Sequence, residues 1–182
     1  MHEELALLEP DDLLQMSEGD SYELIDGRLV EKHMGAESDR IALRLGGKLD
    51  QYCTDRGIGS VFGSQTGYRC FPSRPRSVRK PDVSVIVRGR LQDERSPKGD
   101  ILIAPDLVVE SVSPNDTYEE IEVKVVEYLR AGVRLVWVFS PEAKTILVRR
   151  PDKSAVMLDV TDTLSGEDVV PGFSCPVADL FP

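Results

Sequence analysis

Histidine and cysteine are scarce in this chain. Its 182 residues include two histidines, His2 and His33, and three cysteines, Cys53, Cys70 and Cys175. There is no CxxC pair, and three widely spaced cysteines make neither a zinc ribbon nor a disulfide framework. Neither histidine has a neighbourhood suited to a zinc site or a Ser-His-Asp triad. Such cysteine usage suits a reducing compartment, so a cytoplasmic location is expected. Long apolar runs are missing too. Stretches such as Leu135–Phe139 are far too short to span a bilayer. The opening MHEELALLEP lacks the basic region of a signal peptide, so export and membrane insertion are both disfavoured. No glycine-rich phosphate loop supports a nucleotide-binding protein. Positive charge is also short, with 22 Lys and Arg against 32 Asp and Glu, a net −10. A chain this acidic repels phosphate at long range. A nucleic-acid site must therefore be a local basic patch or be screened by metal ions.

Hydrophobic residues make up 41% and charged residues 30%, which is enough apolar content for a buried core. The whole of 1–182 reads as one domain, with 1–20 as an acidic, helical lead-in. That lead-in carries seven acids and no Lys or Arg, and Pro10-Asp11-Asp12 suits a first helical turn. Asp26-Gly27 between two short apolar runs signals a hairpin. Ile41, Leu45, Leu49 and Tyr52 mark an amphipathic helix from Ala36 to about Asp55, closed by Gly57. Residues 58–71 read as strand. From Asp82 to Val87 the chain alternates, with Val83, Val85 and Val87 on one face and Asp82, Ser84 and Ile86 on the other. Residues 88–104 read as a long surface connection. Leu107–Ser111 reads as a buried strand. Thr117 with Glu120 forms a capping-box pattern for a helix that stops at Gly132. Leu135–Phe139 reads as a central strand, and two more strands follow as a closing hairpin. Strands with one helix before the central set and one inside it predict an α/β (α+β) fold, a sheet covered by helices.

Two acids and a lysine stand out. If 82–87 and 106–111 pair antiparallel, the start of the first strand lies beside the end of the second, and Asp82 neighbours Glu110. Two adjacent carboxylates repel and favour a cation between them. Oxygen-only donors select hard ions, Mg²⁺ or Mn²⁺. Lys124 borders the Ile121, Val125, Tyr128 stripe of the next helix and can lean over the sheet toward the acids. Such a set suits phosphodiester hydrolysis, with the lysine acting on the water or on the charge at phosphorus. Residues 69–80 hold Arg69, Arg74, Arg76, Arg79 and Lys80 and no acids. They read either as a phosphate track at the mouth of the site or as a loop that balances the acidic surface.

The ordered segments YELIDGRLV (22–30), KPDVSVI (80–86), APDLVVESVSPND (104–116), LVWVF (135–139) and VPGF (170–173), with Lys124 and Tyr128, resemble the Uma family of restriction-endonuclease-like proteins. Pro81-Asp82 followed by Glu110 is similar to the PD-(D/E)XK nuclease motif. The resemblance spans about Tyr22 to Phe181. It implies a restriction-endonuclease-like mixed β-sheet flanked by helices and a metal-dependent nuclease site with DNA as substrate. Asp82 and Glu110 match the metal-holding acids, and Glu23 matches a further acidic position of the catalytic set. The strict motif puts its lysine two residues after the acid, where this chain has Val112. In the family the lysine has moved to the next helix, which Lys124 matches. Many relatives carry a histidine near Ser38, which this chain lacks. Cutting both strands of a duplex implies a two-fold dimer. The alternative reading is a catalytically inactive scaffold of the same fold that binds nucleic acid or a protein partner.

Overall fold

The computed structural model describes residues 6–32 and 35–181. His2, His33 and the first part of the acidic lead-in lie outside them. The lead-in forms a short helix, α1 (Pro10–Gln15), with Pro10 in its first turn and Asp12 closing a capping box with Glu9. Strands β1 (Tyr22–Ile25) and β2 (Arg28–Glu31) make the hairpin that Asp26-Gly27 predicts. Both turn residues adopt positive φ, +50° and +82°, as a tight two-residue turn requires. Helix α2 (Ala36–Arg56) ends on Gly57 in the left-handed region.

Among the described residues six strands form the main sheet, in the order β3 (Gly59–Gly63), β4 (Val83–Val87), β5 (Leu107–Ser111), β6 (Leu135–Ser140), β7 (Thr145–Arg149) and β8 (Ala155–Leu158). Only the β5–β6 pair is parallel, and α3 (Tyr118–Ala131) makes that crossover. Thr117 caps α3 by accepting the Glu120 N–H at 3.2 Å, while the Glu120 carboxylate accepts the Thr117 N–H at 2.8 Å. The short pair β9 (Thr163–Ser165) and β10 (Ser174–Pro176) lies outside the main sheet.

Alternation sends the two sides of the sheet to two cores. Val83, Val85, Leu107, Val109 and Trp137 pack against Ile41, Leu45 and Leu49 of α2 and against Phe173 and Phe181 from the tail. Ile86, Val108, Val136 and Val138 pack against Ile121, Val125 and Tyr128 of α3. Asp82 and Glu110 belong by the same alternation to the α3 side.

The strand expected over 58–71 is shorter than the sequence suggests. Pairing stops at Gly63, and the chain then turns away from β4. Tyr68 instead makes isolated bridges to Arg79 and Ile101. Gly67 permits this path, because a Cβ there would fall 2.1 Å from the Asp100 carboxylate.

Candidate active site

The register of the central strands fixes the two acids. Val83 pairs with Val109, so Asp82 and Glu110 are the next opposed positions of β4 and β5. The Asp82 N–H donates to the Val109 carbonyl at 3.1 Å, which extends the ladder one step past the strand. Asp82 Oδ2 accepts the Ser111 N–H at 2.7 Å. Both acids are buried, at 5% and 3% exposure. Two carboxylates so far from water need partners, since an uncompensated buried charge costs several kcal/mol.

Those partners arrive from three directions. Tyr128 of α3 donates its hydroxyl to Glu110 Oε1 at 2.7 Å. One helical turn earlier, Lys124 holds its ammonium 3.6 Å from Glu110 Oε2 and 3.6 Å from Glu23 Oε2. Glu23 reaches in from β1 and is itself fixed. Its Oε1 accepts the Lys80 N–H at 2.8 Å, and its Oε2 pairs with Arg79 at 2.9 Å. Lys32, just past β2, pairs with Asp82 Oδ1 at 3.0 Å. The hairpin is held over the sheet by reciprocal backbone bonds between Leu24 and Val78, at 3.0 and 2.7 Å. Glu23, Lys32, Asp82, Glu110 and Lys124 all line one cleft of about 350 Å³.

The electrostatics are those of a crowded, water-poor pocket. Burial pushes the Glu110 carboxyl up to about 7. Lys124 and Lys32 oppose this, while Asp82 and Glu23 add to it. Burial also pushes Glu23 up, but Lys124, Arg79, the Lys80 amide and Lys32 outweigh it and hold the group below the ordinary carboxylate range. Lys124 shows the reverse balance. Burial disfavours its charge, but Glu110 and Glu23 more than restore it, so the ammonium keeps its proton. Two glutamates of the same cleft thus differ in proton affinity, the pattern that sets catalytic carboxylates apart.

The structure brings Glu23, Asp82, Glu110 and Lys124 together. It does not lay out the five bases of 69–80 as an exposed track. Arg79 and Lys80 are buried, Arg79 between Glu23 and Glu127, and Lys80 with its ammonium on the Gly19 carbonyl at 2.7 Å. Arg69 pairs with Asp11, Arg74 with Glu127 and Arg76 with Glu9. The geometry thus favours the loop that balances acidic surface, and two of the balanced acids belong to the lead-in. Sequence reasoning missed Lys32 and the roles of Arg79 and Tyr128. For Tyr128 a signal existed, its position four residues after Lys124 on one helix face. For Lys32 and Arg79 the contacts depend on where the hairpin folds back, which no local pattern encodes.

A mixed sheet flanked by helices, with an acid pair across two central strands and a lysine leaning in from the crossover helix, has the layout of a restriction-endonuclease-like protein. The chain belongs to the Uma2 family, described as "Putative restriction endonuclease", whose family model matches residues 10–178. Its fold is similar to the crystal structure of a putative nuclease from Anabaena variabilis, with a TM-score of 0.80 and 22% identity over 96% of this chain and 97% of that one. No curated protein matches the chain significantly. No helix among the described residues is long and apolar enough to cross a membrane.

The family resemblance implies a divalent ion, and the donor chemistry at Asp82 and Glu110 fits one. The donors are all oxygen. Glu110 Oε1 is committed to Tyr128, while Oε2 faces Lys124 at 3.6 Å, beyond hydrogen-bond length. Among the described residues no three His, Cys, Asp or Glu side chains close into a metal cage. Glu23 has both oxygens engaged by Arg79 and the Lys80 amide, and Asp82 has Oδ1 on Lys32 and Oδ2 on the Ser111 N–H, so an ion would have to share the Asp82 oxygens with these partners. Two carboxylates with water in the remaining positions are the usual habit of Mg²⁺.

Proposed function

We propose that the protein is a Mg²⁺- or Mn²⁺-dependent DNA endonuclease, with Asp82 and Glu110 holding the ion and Lys124 and Glu23 completing the catalytic set. The observation that carries this reading is the position of Lys124. Its ammonium lies 3.6 Å from Glu110 although the sequence has Val112 where the strict motif has lysine. The crossover helix supplies the missing charge. When bound, the ion polarises the phosphoryl oxygen and makes the attacking water more acidic. Lys124, kept charged by Glu110 and Glu23, orients that water and balances the charge that grows on the phosphoryl group. Glu23, clamped by Arg79 and the Lys80 amide, holds Lys124 in position. Tyr128 fixes Glu110 so that Oε2 faces the lysine. A two-fold dimer would present a second site to the other strand of a duplex. Three free thiols fit a reducing, cytoplasmic setting.

Supercoiled plasmid provides the test. Cutting or nicking is expected in Mg²⁺ or Mn²⁺ and not in chelator, and Asp82→Asn and Glu110→Gln should each abolish it. If the protein cuts no DNA with any divalent ion, or if Asp82→Asn cuts as well as the parent, the nuclease reading fails. The inactive scaffold that binds nucleic acid or a protein partner would then replace it.

A further inference from the structure

Asp82 has an ionisable neighbour on each of its two flanks. Toward β5 it meets Glu110 across the strand pair. Toward β3 it meets the ammonium of Lys32. That ammonium lies 3.0 Å from Asp82 Oδ1, 2.5 Å from the Lys80 carbonyl oxygen and 3.3 Å from the Ser64 carbonyl oxygen. Ser64 follows Gly63, the residue opposite Val83 on β3, so its carbonyl approaches Asp82 from the flank opposite Glu110, while the Lys80 carbonyl comes from the lead-in to β4. One carboxylate oxygen and two carbonyl oxygens around one positive charge are the donors a hard cation would take. The side chain of Lys32 is only 11% exposed, so the charge is built into the fold rather than spread over the surface. Lys32 also borders both the catalytic cleft and a neighbouring one lined by Asp20, Asp39 and Ser64.

Many phosphodiester hydrolases use two divalent ions, a clamp on the attacking and leaving oxygens. We propose that the Lys32 ammonium permanently fills the second cation position at Asp82, so that this site takes one divalent ion, between Asp82 and Glu110, where a two-ion site would take two. This inference rests on the metal reading of Asp82 and Glu110. Lys32 neutralises half of the pair's charge from the β3 side and leaves the β5 side for the ion. A lysine that merely ties the hairpin to β4 would make the same ion pair but would not decide how many ions bind.

The ion count separates the two roles. Titration calorimetry with MnCl₂ on the full chain, with circular dichroism melting to check folding, should give one Mn²⁺ per chain for the parent and for Lys32→Arg. Lys32→Met should bind two, because Asp82 Oδ1 and the Lys80 and Ser64 carbonyls lose their cation. Lys32→Ala, which leaves the two carbonyls to water, serves if Lys32→Met does not fold, with the same count of two expected. Two ions in the parent, or one ion in the neutral variant at any affinity, overturns the inference while the metal reading stands. No ion in any variant overturns both.

Discussion

Glu110 is pulled in opposite directions by burial and by its lysines. Burial prevails and sets its carboxyl near 7, against an ordinary 4.5. In the unfolded chain the group titrates near the lower value. Between the two, the folded state holds more protons than the unfolded one, so stability falls as pH rises from about 4.5 to about 7 and levels off above that. The full effect amounts to up to about 3 kcal/mol. Denaturant unfolding in chelator should therefore show a decline over this window that Glu110→Gln flattens. An unchanged slope in the variant would show that another group is responsible. The acid pair itself was legible in the sequence, because period-two alternation and an antiparallel register put Asp82 and Glu110 side by side. Their counter-charges were not. Lys32 lies 50 residues before Asp82 in the chain and reaches it only after the β1–β2 hairpin docks through Leu24 and Val78. Arg79 reads locally as one of five loop bases, yet burial and two glutamates make it part of the site's framework.

Helix α3 is the element that turns an acid pair into a candidate catalytic set, since it carries both Lys124 and Tyr128. Its limits were legible in full. The Thr117–Glu120 box starts it, and Gly132, at φ +105°, ends it. Thr117→Ala should cost about 1 kcal/mol of stability in thermal or denaturant unfolding, because the N-terminal amides lose their acceptor. A loss under a few tenths would mean that the cap does not hold the helix. Lys124→Met should cut the rate by roughly 10²–10³ while Mn²⁺ affinity holds or rises, since the change deletes positive charge beside Glu110 and no oxygen ligand. Weaker Mn²⁺ binding in this variant would place the lysine in a different role. The strand expected over 58–71 ends early for a physical reason. Apolar residues lie at both ends of the stretch, but past Gly63 Tyr68 and Phe71 pack in the α3-side core rather than in a ladder with β4.

At the scale of the whole molecule, the net −10 and the basic loop form one arrangement. Arg69 and Arg76 bind Asp11 and Glu9, so the acidic lead-in lies over the loop and uses its charge. The sign reversal visible in the sequence therefore serves to fasten the N-terminal segment, and the composition alone could not reveal which acids lay opposite. What remains for a charged substrate is the cleft itself, lined by seven acids, Glu23, Glu31, Asp82, Glu110, Asp116, Glu119 and Glu120, against three bases, Lys32, Arg79 and Lys124. An acidic cleft of this kind attracts a cation and repels phosphate until one is bound. If the proposed ion binds here, it must displace the proton that burial holds on Glu110, so its affinity should climb from pH 6 to pH 8. The most direct test of the account is anomalous scattering from a crystal soaked in Mn²⁺. One peak is predicted, with an oxygen of Asp82 and an oxygen of Glu110 each within about 2.0–2.6 Å of it. An empty gap between the two carboxylates at saturating Mn²⁺, with both still paired to their lysines, would contradict it.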